Sequence, residues 1–272
     1  MISGEENFLS PLLKYVLVTI LVMASERISH NPETILPYGD GESKDVQVRR
    51  MFDTIAPVYD RMNRLMTFGL DRGWRRVALK MLRAYNPRKI LDVATGTGDL
   101  PFMMSEMFDC PDITGIDLSE GMLDIARKKC SERNLQEKIV FEKQDCLSLT
   151  FPDARYDAVT VAFGVRNFQR LQQGFSEMYR VLTPGGVLMV IELSTPRRFP
   201  FDVLYRFYAH RIIPCLGRLF SRDKQAYMYL PRSIEAVPQG DEMLSIFRSV
   251  GFGEVYYRRL TWGVCSIYVG KK

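Results

Sequence analysis

The chain has 272 residues, of which 46% are hydrophobic and 25% charged, with a net charge of +5. Such a length can bury a substantial core as one large domain or two small ones. The composition excludes disorder, collagen-like repeats and a multi-span membrane protein, and so mild a charge alone indicates no class of partner. Two histidines exclude a His-rich metal site, so we predict no metal. Five scattered cysteines without a C-x-x-C pair argue against disulfides and a zinc ribbon, and indicate a reducing compartment.

The N-terminal part contains one apolar run, over residues 15–24. A spanning helix needs roughly 20 apolar residues, and acidic residues stand where a secretory signal carries basic ones. We predict that translation begins at Met23 and that residues 1–22 are absent from the native protein, with a membrane anchor as the alternative. The polar, turn-rich stretch that follows completes a flexible lead-in over residues 1–45.

A helical pattern follows in residues 46–85. Apolar side chains recur there at three- and four-residue steps, at Met51, Ile55, Val58, Met62 and Leu65. Pro57 marks a break or a fresh helix start. We predict that this segment forms a helical lid in front of the rest of the domain.

Short apolar strands alternate with amphipathic helices in the next part, the predicted core of residues 88–194. The strands are predicted over residues 90–95, 112–118, 139–145, 156–164 and 186–193, and the helices from about Asp99, over 119–133 and over 169–181. This alternation predicts right-handed βαβ units, and hence a parallel sheet with helices on both faces.

The last two β-rich runs, residues 251–260 and 263–272, are separated only by Thr261 and Trp262. So short a gap cannot hold a crossover helix, so the two strands must be antiparallel. A dinucleotide-binding domain would continue with βα units instead. Five parallel strands and a terminal hairpin make a seven-stranded sheet, the layout of the Rossmann-like class I methyltransferases. We predict this α/β fold for residues 46–272.

A glycine-containing turn lies where the first strand meets a helix. Gly96 and Gly98 let the backbone turn tightly and approach a ligand, and the helix N-terminus offers N–H groups to an anion. A third glycine at the dinucleotide spacing would stand where the chain has Pro101, which weakens an NAD interpretation. S-adenosylmethionine carries a carboxylate and no pyrophosphate, so it needs less of that cradle.

Two acidic residues end the second and third strands. Asp117 can accept hydrogen bonds from both hydroxyls of a ribose, and Asp145 can accept one from an adenine amino group. Cys146 would offer its backbone N–H and an apolar wall beside that ring. Each acid alone could equally be a solvated strand end or a helix cap. Because both converge with the glycine turn on one crevice, they indicate a nucleoside cofactor.

Several segments together resemble one known family. They are residues 51–76, 91–100, 162–168 and 179–188, and the most specific are YDRMN (59–63) with Trp74, and FGVRN (163–167). Over about residues 45–272 the chain resembles the UbiE/MenG family, the S-adenosylmethionine-dependent C-methyltransferases of menaquinone and ubiquinone biosynthesis. The resemblance implies that cofactor contacts fall on Thr97, Asp117, Asp145 and Cys146, beside Gly96 and Gly98.

The chain departs from the family pattern at a few positions. The pair after the third strand, often Asn-Ala in the family, is Asp145-Cys146 here, which keeps an acceptor and loses the amide donor. The usual Ser and His of the first signature are Thr67 and Asp71, so that histidine is no essential base in this protein. Ala162 stands where a Ser often precedes the Phe-Gly segment.

The family chemistry requires a ring carbon made nucleophilic by ionisation of the neighbouring hydroxyl, whose pKa is about 10 for a phenol. Arg166 follows strand four, which places it near the transferring methyl in this topology, so its guanidinium could hold the phenolate. Asn167 could orient the ring, and Tyr59 could close over it. A water relayed to Asp145 is one candidate proton acceptor. The alternatives are a surface salt bridge for Arg166 and core packing for Tyr59.

A lipid-facing surface is predicted within residues 195–250. Residues 197–232 carry eight Lys and Arg against two Asp, with eight aromatic residues between them. Apolar faces flanked by arginines suit docking on anionic headgroups. The alternative is an amphipathic helix packed on the sheet with a solvated basic rim. We expect a cytoplasmic protein that associates peripherally with the inner face of the membrane and lacks a spanning helix.

Three other functions compete with this interpretation. The same basic stretch could bind RNA, but the segment after strand four lacks the Pro-Pro-aromatic run and the Pro-Cys pair of RNA methylases. A nucleoside sensor and an NAD-dependent reductase have less support. We predict C-methylation of demethylmenaquinol, with a ubiquinone precursor as the alternative and no nucleic-acid partner. The oligomeric state stays open, a homo-oligomer included.

Overall fold

The computed structural model describes residues 32–109, 112–220 and 223–272, apart from the side chains of residues 219 and 220. The predicted start at Met23 and the predictions on residues 1–22 lie outside this part of the chain. A short 3-10 turn, Pro32–Thr34, is the first regular element that is described.

One sheet organises the described residues. Its strands are β1 (Lys89–Val93), β2 (Asp112–Asp117), β3 (Ile139–Lys143), β4 (Tyr156–Ala162), β5 (Leu182–Leu193), β6 (Glu254–Leu260) and β7 (Cys265–Lys271). Their order across the sheet is β3-β2-β1-β4-β5-β7-β6. Strands β1 to β5 run parallel, and β7 runs antiparallel to both β5 and β6. The predicted parallel sheet with a terminal hairpin is confirmed.

Helices precede the sheet and connect its strands. They are α1 (Lys44–Ile55), α2 (Tyr59–Met66), α3 (Leu70–Arg83), α4 (Asp99–Met107), α5 (Glu120–Glu132), α6 (Leu171–Val181), α7 (Phe201–Phe207), α8 (Ile213–Phe220), α9 (Lys224–Ala236) and α10 (Asp241–Val250). A single π turn, Tyr208–Ile212, links α7 to α8. The break predicted at Pro57 is a 3-10 turn, Ala56–Val58, after which α2 begins.

Helices cover both faces of the sheet, as parallel strands require. On one face, Trp74, Leu79 and Leu82 of α3 pack with β1 and β2. Helix α3 therefore belongs to the core layers, although the sequence placed it in the lid over residues 46–85. That assignment followed helical periodicity, and periodicity does not say which surface a helix covers.

The opposite face is covered partly by a helix from the segment predicted to face lipid. Met243, Leu244 and Phe247 of α10 pack with Phe175 of α6 against the sheet. The insertion predicted over residues 195–250 therefore ends at about α9, and α10 belongs to the core layers.

A third cluster joins the N-terminal helices to the inserted ones. Met51 and Ile55 of α1 and Met62 of α2 pack with Tyr227 and Tyr229 of α9. These helices roof the carboxyl ends of the strands. In the described part of the chain, no helix is both long enough and apolar enough to cross a bilayer.

Candidate active site

Two neighbouring cavities open at the carboxyl ends of the strands, where the strand order diverges between β1 and β4. The strand-end cleft lies beneath α1 and is lined by the loops after β1, β2, β3 and β4; together with the open space at its mouth it has a volume of about 800 Å³. The aromatic cavity lies among α2, α3, α7 and the turn between β6 and β7, and with its mouth has a volume of about 1190 Å³. Tyr59 and Phe163 line both, so they form the junction between the cavities.

The glycine turn after β1 is held by a buried carboxylate. Asp92 accepts hydrogen bonds from the Thr95 hydroxyl at 2.7 Å and from the Thr160 hydroxyl of β4 at 2.6 Å. Burial raises the pKa of Asp92 to about 6, so the carboxylate is mostly ionised near neutral pH. Its hydrogen bonds from the two hydroxyls then keep the turn in one conformation. Asp92 thus positions the turn without lining the cleft.

At two positions of this region the structure leaves no room for a side chain. Gly98 has a φ of +83°, and a Cβ there would lie 2.9 Å from Phe102 and Phe141. A Cβ at Gly164 would lie 2.7 Å from that of Ala94, so the loops after β1 and β4 can approach only with glycine at this position. Ala94 and Gly164 both line the strand-end cleft, so this close approach forms part of its wall.

Asp117, at the end of β2, lies in the strand-end cleft as expected. Its carboxylate accepts from the backbone N–H of Gly96 at 2.8 Å and of Ser119 at 2.9 Å. Burial raises the pKa of Asp117 despite these bonds. Both oxygens are thereby fixed at the lip of the glycine turn, in position to accept ribose hydroxyls.

Asp145 and Cys146, after β3, also line the cleft. One oxygen of Asp145 accepts from the backbone N–H of Leu147 at 2.9 Å, which leaves the other oxygen as an acceptor for a ligand. Cys146 is buried, and burial raises the pKa of its thiol, so it is a neutral apolar wall. Asp145 does not line the aromatic cavity, so a proton relay to it would have to pass the junction.

Thr97 and Gly98 do not line the strand-end cleft. The Thr97 hydroxyl donates to Asp60 of α2 at 2.6 Å, and Asp60 also accepts from Lys129 of α5 at 2.5 Å. Lys129 reaches the Thr97 carbonyl at 3.2 Å. Thr97 therefore ties the glycine turn to the lid, and its contact with a cofactor stays a prediction.

The residues that line the strand-end cleft fit an adenosyl group. Asp117 and Asp145 supply carboxylate acceptors at the ends of adjacent strands, for a ribose and for an adenine amino group respectively. Between them the walls are apolar, built from Ile116, Cys146, Leu147, Val48 and Phe168. Such a combination of a few placed polar groups and apolar walls is typical of nucleoside sites.

Arg166 is buried beside the aromatic cavity and is not a surface residue. Its guanidinium donates to Glu192 of β5 at 2.8 Å and to the carbonyl of Phe163. Burial opposes the charge, yet the Glu192 carboxylate holds the pKa of Arg166 above its ordinary value. Arg166 is therefore a permanent cation, and its Nε has no partner among the described residues.

Asn167 lies on the cleft side of the junction, and Tyr59 forms part of the junction itself. The Asn167 amide oxygen accepts from the Tyr229 hydroxyl at 3.0 Å, and Asn167 faces the strand-end cleft. Tyr59 packs edge-on against Phe52 of α1, and burial raises its pKa, so its hydroxyl is neutral. Tyr59 therefore packs with the lid and also lines both cavities, and its closing over a substrate ring stays a prediction.

Sequence reasoning missed two ion pairs. Glu192, the partner of Arg166, lies in an otherwise apolar strand, and a buried acid in such a strand needs a partner. Asp71 and Arg75 are four residues apart on α3, a spacing that brings side chains together. The Thr67 hydroxyl donates to Asp71 at 2.9 Å, so the two departures from the family pattern contact each other.

The sequence matches one known family over most of its length. The ubiE/COQ5 methyltransferase family model matches residues 41–272. The chain belongs to this family. The demethylmenaquinone methyltransferase of Bacteroides fragilis is 46% identical over 245 residues, which is 90% of this chain and all of that protein. That of Porphyromonas gingivalis is 47% identical over 89% of this chain and 99% of its own.

The fold is shared more widely than the family. A S-adenosylmethionine-dependent methyltransferase from Thermotoga maritima is 18% identical and superimposes with a TM-score of 0.57, over 82% of this chain and 99% of its own. The predictions of the class I fold, of methyltransferase activity and of S-adenosylmethionine as the methyl donor are confirmed. The residues that line the strand-end cleft fit that donor, and their contacts with it stay a prediction.

Proposed function

We propose that this protein methylates a ring carbon of a prenylated quinol, and that the quinol is demethylmenaquinol. One observation carries the proposal: the aromatic cavity meets the strand-end cleft at Tyr59 and Phe163, with the buried cation Arg166 beside that junction. The relatives from Bacteroides and Porphyromonas, named demethylmenaquinone methyltransferases, support the choice of quinol.

Bound in the strand-end cleft, S-adenosylmethionine supplies an electrophilic methyl group. The task of the chain is then to hold a ring carbon in line with that group and to stabilise the ionised ring hydroxyl. A phenol with a pKa of about 10 is mostly protonated at neutral pH. The Arg166 guanidinium keeps its charge in a water-poor site, where a charge-assisted hydrogen bond to a phenolate is strong.

The other residues at the junction orient the ring and exclude water. Tyr59 and Phe163 present aromatic walls to both cavities, and Trp74 packs edge-on against Phe163 with 6.3 Å between ring centroids. Asn167 is fixed by Tyr229 beneath them. Ionisation of the ring hydroxyl sends its proton, through a water, to Asp145, which is the acceptor we propose. Once the ring carbon has gained its methyl group, its hydrogen leaves as a proton and the ring oxygen regains one, so a single proton is released overall.

The function is tested by methyl transfer from labelled S-adenosylmethionine. Reduced demethylmenaquinone, a reduced demethylated ubiquinone precursor and RNA are offered in parallel, with detergent for the lipids. Because the cavity meets the cleft beside a cation suited to a phenolate, we expect label in the extracted naphthoquinol. Label in the benzoquinol alone would change the substrate, and label in RNA alone would contradict the proposal.

We also propose that the protein works at a membrane surface, since the mouth of the aromatic cavity is exposed and apolar. Its mouth rim consists of Phe68, Leu70, Leu204 and Trp262, which line the cavity and are 77%, 45%, 61% and 70% exposed. Trp262 stacks on Phe201 with 4.6 Å between ring centroids. These residues come from three separate elements, so the rim arises only in the folded chain.

Exposed arginines lie within seven residues of these rim positions in the sequence. They are Arg64, Arg72, Arg197, Arg198 and Arg211. An apolar rim with cationic neighbours suits an anionic bilayer, into which the rim would insert while the arginines meet the headgroups. A prenyl tail could then pass from the bilayer into the cavity without crossing water.

Flotation with phosphatidylglycerol vesicles tests the membrane proposal. Replacing Phe68 and Trp262 with serine removes two apolar anchors, so we expect about tenfold weaker vesicle binding or more. The matched control replaces Val140 and Tyr256, exposed residues on the two edge strands of the sheet, with serine. Equal binding of both double variants would contradict the assigned surface, and no binding by the wild type would overturn the membrane proposal.

A further inference from the structure

We infer that Arg75 binds the second ring oxygen of the quinol, the one that Arg166 does not hold, and so makes the enzyme select rings with two oxygens. The inference rests on the proposed function, which concerns the hydroxyl next to the reacting carbon. Nothing in that chemistry requires a group for the other oxygen. The structure nevertheless places a second buried cation on the wall of the same cavity.

Arg75 is held rigidly at that wall. It is 7% exposed and lines the aromatic cavity from α3, one residue after Trp74. Its Nη1 donates to one oxygen of Asp71, whose other oxygen accepts from the Thr67 hydroxyl at 2.9 Å. Asp71 is thereby engaged on both oxygens and acts as the positioning residue for Arg75.

The fold leaves most of the Arg75 donors unused. A guanidinium has five N–H donors, and Arg75 makes one side-chain hydrogen bond with the described residues, to Asp71. Its Nη2 makes no hydrogen bond with those residues and, unlike its Nε, is not shut off from the cavity that Arg75 lines. Buried donors are usually satisfied. A ligand that brings two oxygens into this cavity would supply an acceptor for each guanidinium.

The two arginines approach Phe163 from different directions. The guanidinium carbon of Arg75 lies 5.0 Å from the centroid of the Phe163 ring, whereas Arg166 donates to the Phe163 carbonyl. Phe163 belongs to the junction of the cavities. A quinol ring that binds at this junction would therefore have Arg75 near one part of its edge and Arg166 near another. We therefore assign one guanidinium to each of the two oxygens of a quinol.

The charges around the cavity favour a neutral ligand of this kind. Asp71 pairs with Arg75, and Glu192 pairs with Arg166, so each cation already has one carboxylate. A phosphate or another polyanion would face these carboxylates at close range. A quinol brings hydroxyl oxygens without a full charge, and each can accept from a spare guanidinium donor while the ion pairs stay intact.

The test compares two substrates that differ in one oxygen. The first is the reduced demethylmenaquinone with a single prenyl unit, and the second is the naphthol that keeps the hydroxyl next to the reacting carbon and lacks the other. Because one charge-assisted hydrogen bond is lost, we expect kcat/KM of the wild type to be about 10- to 100-fold lower for the naphthol. In Arg75→Met the ratio of the two values should fall towards one.

Two further variants separate recognition from folding. Arg75→Met leaves Asp71 buried and unpaired, so Arg75→Met with Asp71→Asn removes both charges, and the ratio should again be near one. Arg76→Met, the exposed neighbour on α3, should keep the wild-type ratio. A merely structural role would lower both kcat/KM values together, because it does not depend on which oxygen the substrate carries.

The outcomes distinguish the inference from the proposed function. If the wild type methylates the quinol but the Arg75 variants keep its preference, the inference is overturned and the function stands. A wild type that shows no preference between the two substrates has the same consequence. If the wild type methylates neither substrate, the proposed function fails and the inference with it.

Discussion

The double variant Arg166→Met/Glu192→Gln is expected to fold nearly as stably as the wild type and to have lost methyl transfer. Arg166→Met alone leaves the Glu192 carboxylate, 1% exposed, without its cation. Breaking one partner of a buried pair costs about 3–5 kcal/mol of folding free energy. Removing the second charge relieves that cost, but it restores no donor for the phenolate. Loss of a preorganised donor lowers kcat by about 10²- to 10³-fold.

The measurements are thermal unfolding, cofactor affinity and kcat for the single and double variants. Cofactor affinity should stay near the wild-type value in both, because Arg166 does not line the strand-end cleft. The matched control is Arg127→Met/Glu120→Gln, which removes an exposed pair on α5 and should change stability by about 1 kcal/mol or less. If the Arg166→Met/Glu192→Gln enzyme kept its kcat, Arg166 would not hold the phenolate.

Asp117→Ala is expected to weaken binding of S-adenosylmethionine by about 100-fold or more. The carboxylate is placed to accept two ribose hydroxyls, and each hydrogen bond to a charged group is worth about 1.5–3 kcal/mol. The variant also frees the N–H groups of Gly96 and Ser119, which Asp117 now engages. Both effects act on cofactor affinity, which isothermal titration measures directly.

A pH titration adds a second readout for Asp117. Burial raises its pKa in the folded protein, and only the ionised form accepts two hydroxyls. Cofactor affinity should therefore fall as the pH is lowered, beginning at a higher pH than an exposed aspartate would give. The matched control is Asp112→Ala, at the exposed opposite end of β2. Equal affinities of the Asp117→Ala and Asp112→Ala proteins would exclude Asp117 from the cofactor site.

The sheet and its crevice could be predicted from the sequence because local patterns encode them. Apolar runs separated by helical periodicity imply parallel strands, and the two-residue gap at Thr261 and Trp262 excludes a crossover. Parallel strands bring their carboxyl ends to one edge, so Asp117 and Asp145 could be placed together before any contact was known. The structure puts both in the strand-end cleft.

Contacts between distant segments could not be predicted in this way. The Thr97 hydroxyl is bonded to Asp60 because α2 folds over the glycine turn, 37 residues away in sequence. Similarly, α3 and α10 cover the sheet although one seemed part of the lid and the other part of the insertion. Amphipathic periodicity says that a helix has an apolar face, and it does not identify the surface that buries this face.

The sequence by itself determined the class of fold, the family and the strand-end acids, because each depends on local patterns and on their order along the chain. Only the tertiary structure decided which charges meet: Arg166 with Glu192 across 26 residues, and Asp71 with Arg75 beside the same cavity. A buried charge is stable only with a partner, and the partner is chosen by packing in three dimensions. The mouth rim has the same origin, since its residues from the start of α3 and the turn before it, from α7 and from the terminal hairpin become neighbours only after folding.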